Sequence, residues 1–287
     1  VWVAGAGGGG RAEDVGGAGA GVPDQGPGGA NPNEDWVAAT PTLAVVLDGL
    51  STAGLDTGCR HGVPWYVSQL GGHLVAALAE PGRPLTDGLA QALDQVAALH
   101  PGCDLRNPGT PSATVSILRA GADSFDYLVL ADSPIVFERA DDYQVVTDLR
   151  VDTVVPELRT ETERFATGTP EHTEAVRRMV EAQRLTRNTV DGYWVAASNS
   201  EAASHAVVGA APLADVSAAA VMSDGVSRFV TEYRAASWAD AFTTLREGGA
   251  DGLISAVRKV EATDPDGLRW PRYKVSDDAA VAFCQLP

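Results

Sequence analysis

Lysine is nearly absent from this chain of 287 residues: Lys259 and Lys274 are the only two among 21 basic side chains, and the 38 acids leave a formal net charge of −17. Such a charge repels a phosphodiester backbone unless a local basic groove overcomes it, so nucleic acid is not an expected partner. Aromatic residues make up only 6%, and the apolar runs are short stretches such as 43–47 and 127–131, well below the ~18 residues that a membrane span requires. No membrane partner is expected. Cysteine occurs only as Cys59, Cys103 and Cys284, without a Cys-x-x-Cys spacing, which disfavours both a disulfide framework and a zinc site. A reducing, cytoplasmic setting fits this usage, and the first ten residues show neither the positive n-region nor the apolar h-region of a secretory signal.

What the chain does have is enough apolar material, 45% of its residues, for one large domain spanning 1–287. Within it, residues 5–32 are so rich in glycine that they read as a flexible loop, since such a composition cannot offset its ordering entropy. The loop contains a literal Gly-x-Gly-x-x-Gly at Gly5, Gly7 and Gly10. A dinucleotide-binding turn must open an amphipathic helix, whereas more glycines and prolines follow here, so no nucleotide fold is expected.

From Asn33 onward the patterning is dense. Residues 36–47 predict two strands around a turn at Thr40 and Pro41, and 64–80 predicts a helix with Trp65, Leu70 and Leu74 inward. A second helix is expected over 86–100, with Thr86 as N-cap, Leu89, Leu93 and Val96 on its buried stripe, and His100 as a helix-end histidine without a ligand role. Strands are expected at 113–118, 126–130, 135–138 and 144–147, paired antiparallel because they follow one another closely. The polar stretch 157–189 reads as a helical, flap-like insertion with a helix over 170–187. Beyond it, strands are expected at 193–196, 218–222 and 279–283, with helices at 201–208, 238–246 and 253–261, the last two separated by Gly248 and Gly249. The whole predicts an α+β fold.

The most informative recurrence is an apolar run that ends in Asp and a small residue: Asp48-Gly49, Asp132-Ser133 and Asp224-Gly225. A carboxylate at the end of a buried strand must be paired, hydrogen-bonded or metal-bound, and few cations stand nearby in sequence. Glycine after Asp48 and Asp224 permits a tight turn whose carbonyl can approach an ion. Two further acidic groups, Glu34-Asp35 and Asp277-Asp278, stand just before strands. Oxygen donors without a His or Cys cluster favour Mg²⁺ or Mn²⁺ over Zn²⁺.

The ordered set Asn33-Glu34-Asp35, VVLDG (45–49), PSATVSI (111–117), LVLADS (128–133), AVMSDG (220–225) and SDDAAV (276–281) resembles the metal-dependent protein phosphatases of type 2C, and TGCRHGVPWYV (57–67) is similar to their actinobacterial branch. The resemblance implies a four-layer α-β-β-α sandwich of two mainly antiparallel sheets flanked by helices. It implies a Mn²⁺- or Mg²⁺-dependent Ser/Thr phosphatase with two or three ions, acting on a phosphorylated protein or a small phosphomonoester. Asp48 would bridge two ions, Glu34 and the Gly49 carbonyl would hold one, and Asp224 with Asp277 the other. Asp35 would support them, Asp132 would belong to a third ion, and Asp278 stands where the family has Asn. The family's phosphate-gripping Arg is replaced by Ala30, leaving Arg60 as a substitute phosphate ligand and His61 as the leaving-group acid. The departures at Ala30, Leu50 and Ala280 keep open a second reading, a catalytically impaired binding module.

Overall fold

Strict alternation along the strands builds the core. In a computed structural model, which describes residues 2–6 and 32–286, strand β3 (Leu43–Gly49) sends Leu43, Val45 and Leu47 to one face and Ala44 and Val46 to the other, and both faces are buried. A strand buried on both faces needs a layer on each side. One sheet has the order β2 (Asp35–Ala39), β3, β4 (Ala113–Ala120), β5 (Ser124–Leu130) and β8 (Val207–Pro212). The other has the order β1 (Trp2–Ala6), β10 (Ala280–Gln285), β9 (Ala218–Met222), β6 (Ile135–Glu138) and β7 (Tyr143–Val146). Every pairing is antiparallel.

Between the sheets lie Val46, Phe125, Phe137, Val221 and small residues such as Ala44, Ala219 and Ala282, which let the layers approach closely. On the outer face of the first sheet, α1 (Gly62–Ala77) and α2 (Leu85–Ala98) bury Leu70, Leu74, Leu89 and Leu93 against Val45 and Leu47. Each such leucine contributes about 1.5–3 kcal/mol by leaving water. On the outer face of the second sheet, α5 (Asp224–Thr231) and α6 (Trp238–Glu261) close over Ala220, Val281 and Phe283 with Phe229, Phe242 and Val257. The result is the expected α-β-β-α sandwich. The excursion predicted at 157–189 forms α3 (Pro156–Thr162) and α4 (Pro170–Arg184), the latter capped by the Thr169 hydroxyl accepting from the His172 amide at 3.2 Å.

Several local expectations are corrected. Helix α2 is preceded by Pro84 instead of an N-cap at Thr86, because the proline sits in an extended conformation that starts the helix one residue earlier. Residues 193–196 form no strand, only isolated bridges of Ala196 with Ala113 and of Tyr193 with Arg187, while β8 follows a 3-10 turn at Ser200–His205 in place of the helix expected over 201–208. The helices expected at 238–246 and 253–261 are one element kinked at Gly249, whose φ of 63° only glycine adopts readily. Helix α5 was not anticipated. Of the glycine-rich loop expected over 5–32, Gly5 and Ala6 end β1, and residues 7–31, with Ala30 and most of the Gly-x-Gly-x-x-Gly run, lie outside the described residues.

One glycine is fixed by packing. A Cβ at Gly71 in α1 would fall inside the Trp36 indole that lies across it. Alanine favours a helix over glycine by about 1 kcal/mol, but overpacking costs about 1–3 kcal/mol. Gly71→Ala is therefore expected to lower the urea midpoint with unchanged m value, and a raised midpoint would show that Trp36 yields freely.

Candidate metal centre

Seven carboxylates meet at one end of the seam between the sheets. Asp35 and Asp48 are register partners on β2 and β3, and Asp48 in turn faces Thr114 on β4. The period-2 alternation that sends Leu47 outward to the helices sends Asp48 inward, so both acids project from the face that packs on the other sheet. Asp132 follows β5, Asp224 follows β9 as the first residue of α5, and Asp277 and Asp278 precede β10. Glu34 joins them just ahead of β2. Its amide donates to Asp278 Oδ2 at 3.0 Å, its carbonyl accepts from the Gly49 amide at 3.0 Å, and the Asp278 amide donates to Asp277 Oδ1 at 3.0 Å.

The glycines in this constellation are required by space. At Gly49 a Cβ would meet the Glu34 carbonyl at 2.5 Å, and at Gly225 it would collide with the Asp278 carbonyl. Ala131, just before Asp132, takes a φ of 72°, a left-handed conformation that costs a non-glycine residue about 1 kcal/mol or more.

Two cations reach into the cluster, and they are distributed unevenly. Arg228, one turn along α5, pairs with Asp224, and its Nη1 donates to Asp277 Oδ2 at 3.2 Å. Lys274 places Nζ 2.9 Å from Asp277 Oδ1 and 3.6 Å from both Glu34 and Asp278. The expectation that few cations stand near these acids is thereby corrected: both lie within four residues of an acid they bind, and the i, i+4 spacing of Asp224 and Arg228 was a legible signal once 224–231 is seen as helix.

The other half of the cluster has no such partner. Neither carboxylate oxygen of Asp35 makes a hydrogen bond although both are buried, and no cation contacts Asp48 or Asp132 among the described residues. Burial first, and then the facing carboxylates, hold Asp35 and Asp48 well above the usual carboxylate range. Burial and the neighbouring Asp224 push Asp132 up to about 7. Burial also acts on Asp277, but there the Lys274 and Arg228 charges win and hold it at about 2.

Seven acids against two cations, with oxygen donors only and two orphaned oxygens on Asp35, form a donor set suited to a hard divalent cation. The fit is best on the Glu34, Asp35, Asp48 side; on the Asp224, Asp277 side Arg228 already supplies part of the compensating charge.

A cavity of about 750 Å³ opens over the cluster, lined by Asp48, Asp132, Asp224 and Asp277 at its floor. Val176, Met179 and Val180 of α4 line one wall, so the helical excursion borders the site. Arg159 and Arg187 also line it. Arg60 and His61 do not. The Arg60 side chain lies on the surface with its Nε 3.4 Å from His61 Nε2, and His61 faces Cys59 and stacks on Trp65 at 4.2 Å, so the roles expected for the pair as phosphate ligand and leaving-group acid lack the geometry.

A family model described as Protein phosphatase 2C matches residues 31–257. Solved structures of similar fold include the Mycobacterium tuberculosis serine/threonine phosphatase PstP/Ppp, 17% identical over 92% of this chain and 96% of that one, with a TM-score of 0.54. The Staphylococcus aureus serine/threonine phosphatase Stp1 is 12% identical over 93% of each chain, with a TM-score of 0.57. The catalytic domain of PstP in complex with two manganese ions is 18% identical over 92% of this chain and 95% of that one, with a TM-score of 0.51. At these identities the likeness is one of fold. A comparison with curated protein sequences found no match. Because the family model spans most of the sandwich, including the acids of β2, β3, β5 and α5, the chain belongs to the protein phosphatase 2C family.

Proposed function

We propose that this chain is a Mn²⁺- or Mg²⁺-dependent phosphomonoester hydrolase that acts on phosphoserine and phosphothreonine in proteins. The observation that carries the reading is the half of the cluster without a pairing cation: Asp48 at the cavity floor and Asp35 buried beside it meet no basic side chain among the described residues. The manganese complex of PstP, a protein of similar fold, supports the choice of ion. Glu34, Asp48 and the Gly49 carbonyl would hold one ion, Asp48, Asp224 and Asp277 a second, and Asp132 would contribute to a third, with Asp35 orienting its neighbours and Asp278 positioning Glu34 through its amide. When bound, such ions supply a water acidic enough to attack phosphorus near neutral pH and offset charge on the phosphoryl oxygens.

The chain's own residues do the rest. The open cavity admits a phosphorylated side chain, and the apolar Val176, Met179 and Val180 wall gives its flanking atoms a surface that excludes water. Arg159 of α3 lines the same cavity, salt-bridged to Asp152 at 2.9 Å, and its guanidinium would grip a phosphoryl oxygen in the role that Ala30 cannot fill. A general acid for the leaving group is not assigned to His61, which lies outside the cavity lining.

Hydrolysis of a phosphothreonine peptide is expected to require added Mn²⁺ or Mg²⁺ and to fall by at least ~10³-fold in Asp48→Ala, which removes the one acid shared by both ions. Metal-independent turnover, or an Asp48→Ala enzyme of undiminished rate, would overturn the reading. Arg159→Ala is expected to raise KM about tenfold with kcat within a few-fold, since the group binds phosphate without joining the bond change; an unchanged KM would remove it from the site.

The pairing of Arg228 with Asp224 and Asp277 favours a second reading, in which the site is a catalytically impaired module that binds a phosphorylated partner. Calorimetry separates the two. For the enzyme, the wild-type chain binds Mn²⁺ and Arg228→Leu binds it about tenfold more tightly, because ~1.4 kcal/mol of competing positive charge is gone. For the module, the wild-type chain binds none and only the variant does.

A further inference from the structure

Where α1 begins and α2 ends, three metal-ligating side chains from two turns far apart in sequence come together, and a fourth stands beside them. Cys59 and His61 precede α1, and His100 and Cys103 follow α2. The Asp104 amide donates to the Gly58 carbonyl at 2.8 Å, which ties the two turns side by side. Metal-ligating atoms of Cys59, His61 and His100 all lie within 4.8 Å of one another. His61 Nδ1 is 3.5 Å from Cys59 Sγ and 3.6 Å from Cys103 Sγ. For zinc bound at about 2.3 Å to sulfur and about 2.05 Å to nitrogen, the sulfur-to-nitrogen edge of a tetrahedron is about 3.6 Å.

A second observation points the same way. His100 is buried at 6% exposure, and its Nδ1 lies 2.8 Å from the Val96 carbonyl. An Nδ1 that donates to a carbonyl leaves Nε2 as a bare lone pair, the orientation seen in metal-binding histidines. Here Nε2 is buried with no partner. Both imidazoles are held against Trp65, which stacks on His61 and meets His100 edge-on at 4.8 Å. The His61 amide donates to Cys59 Sγ at 3.4 Å, while burial pushes the metal-free thiol up, so the thiolate needs a cation beside it.

We propose that Cys59, His61, His100 and Cys103 form a structural zinc site that clips the turn before α1 to the turn after α2. Two thiolates and two imidazoles are the donor set of closed, four-coordinate zinc, and they differ in kind from the carboxylate cluster. Zn²⁺ binding releases the two thiol protons, and coordination through His61 Nδ1 leaves the proton on Nε2, so the long Arg60 contact there opens. None of the four residues lines the acidic cavity, and the site is independent of the phosphatase reading. Its position at the ends of α1 and α2 would stabilise the helical layer that packs on β3. The proposal runs against the expectations of no zinc site and of His100 as a helix-end histidine without a ligand role: the ligands would come as Cys-x-His and His-x-x-Cys, 39 residues from His61 to His100, so no single motif announces them.

The test is Co²⁺ substitution of the full-length reduced chain. Tetrahedral Co²⁺ with thiolate ligands gives intense visible bands and a near-ultraviolet sulfur-to-cobalt charge-transfer band, which oxygen ligation at the acidic cluster cannot produce. We expect both bands in the wild-type chain and in Asp48→Ala, their loss in Cys103→Ser and in His100→Gln, and one zinc per chain by elemental analysis of protein purified without chelator. Weak, octahedral-type absorption in the wild-type chain would overturn the proposal without recourse to any variant. So would a Cys59–Cys103 disulfide, seen as a mass lower by two hydrogens in protein kept under reductant.

Discussion

Like charge gathered at the seam of two sheets is the constraint on which this molecule turns. Carboxylates at strand ends repel one another, and the repulsion grows as water is displaced, so their convergence must be offset by cations or by protonation. Both appear here, on opposite sides of one cluster. Arg228 and Lys274 keep Asp277 ionised, while burial drives Asp35, Asp48 and Asp132 toward the neutral form. The polypeptide therefore completes only half of its own charge balance, and on the other half burial favours the neutral form.

The sandwich makes this arrangement possible through very plain features. Period-2 alternation directs Asp35 and Asp48 into the space between the sheets, and the antiparallel register sets them opposite each other. Small inner-face residues, Ala44, Ala219, Ala280 and Ala282, bring the second sheet close enough for Asp224 and Asp277 to face them. Gly49 and Gly225 then let Glu34 and Asp278 backbone groups approach where any Cβ would intrude. Rigid strand ends suit a site whose donors must stay fixed, whereas the cavity wall comes from α4, outside the sandwich, where sequence change alters shape without disturbing the floor.

Much of this was legible in the sequence because it is local. Alternating runs such as 43–49 and 113–120 identify strands, and the ordered acids identify both the fold and the cluster. What stayed hidden depends on distance or on weak local preference. Residues 193–196 carry a strand composition, but Ala196 finds only Ala113 to bridge. Residues 207 and 208 were expected to end a helix over 201–208, yet edge pairing with β5 makes 207–212 a strand. Arg60 and His61 were drawn toward the phosphate by their chemistry, although the turn they occupy faces Cys103 and Trp65. Arg228 escaped notice because the helix that carries it follows Asp224-Gly225, a pair that reads locally as a turn.

Charge balance also decides which acids speak for a bound ion. Removing one member of a buried ion pair leaves the other uncompensated and costs about 3–5 kcal/mol, so the pairing of Asp224, Asp277 and Arg228 has a structural justification of its own. Their presence would be explained in a protein that never met a metal. Asp35 and Asp48 have no such justification: their oxygens find no donor or cation strong enough to offset them, and replacing either with a small neutral residue would relieve repulsion. Two mutually repelling carboxylates, Asp48 at the floor of an open cavity and Asp35 buried beside it, cost stability that a neutral pair would not, and a positive charge entering that cavity would offset the cost.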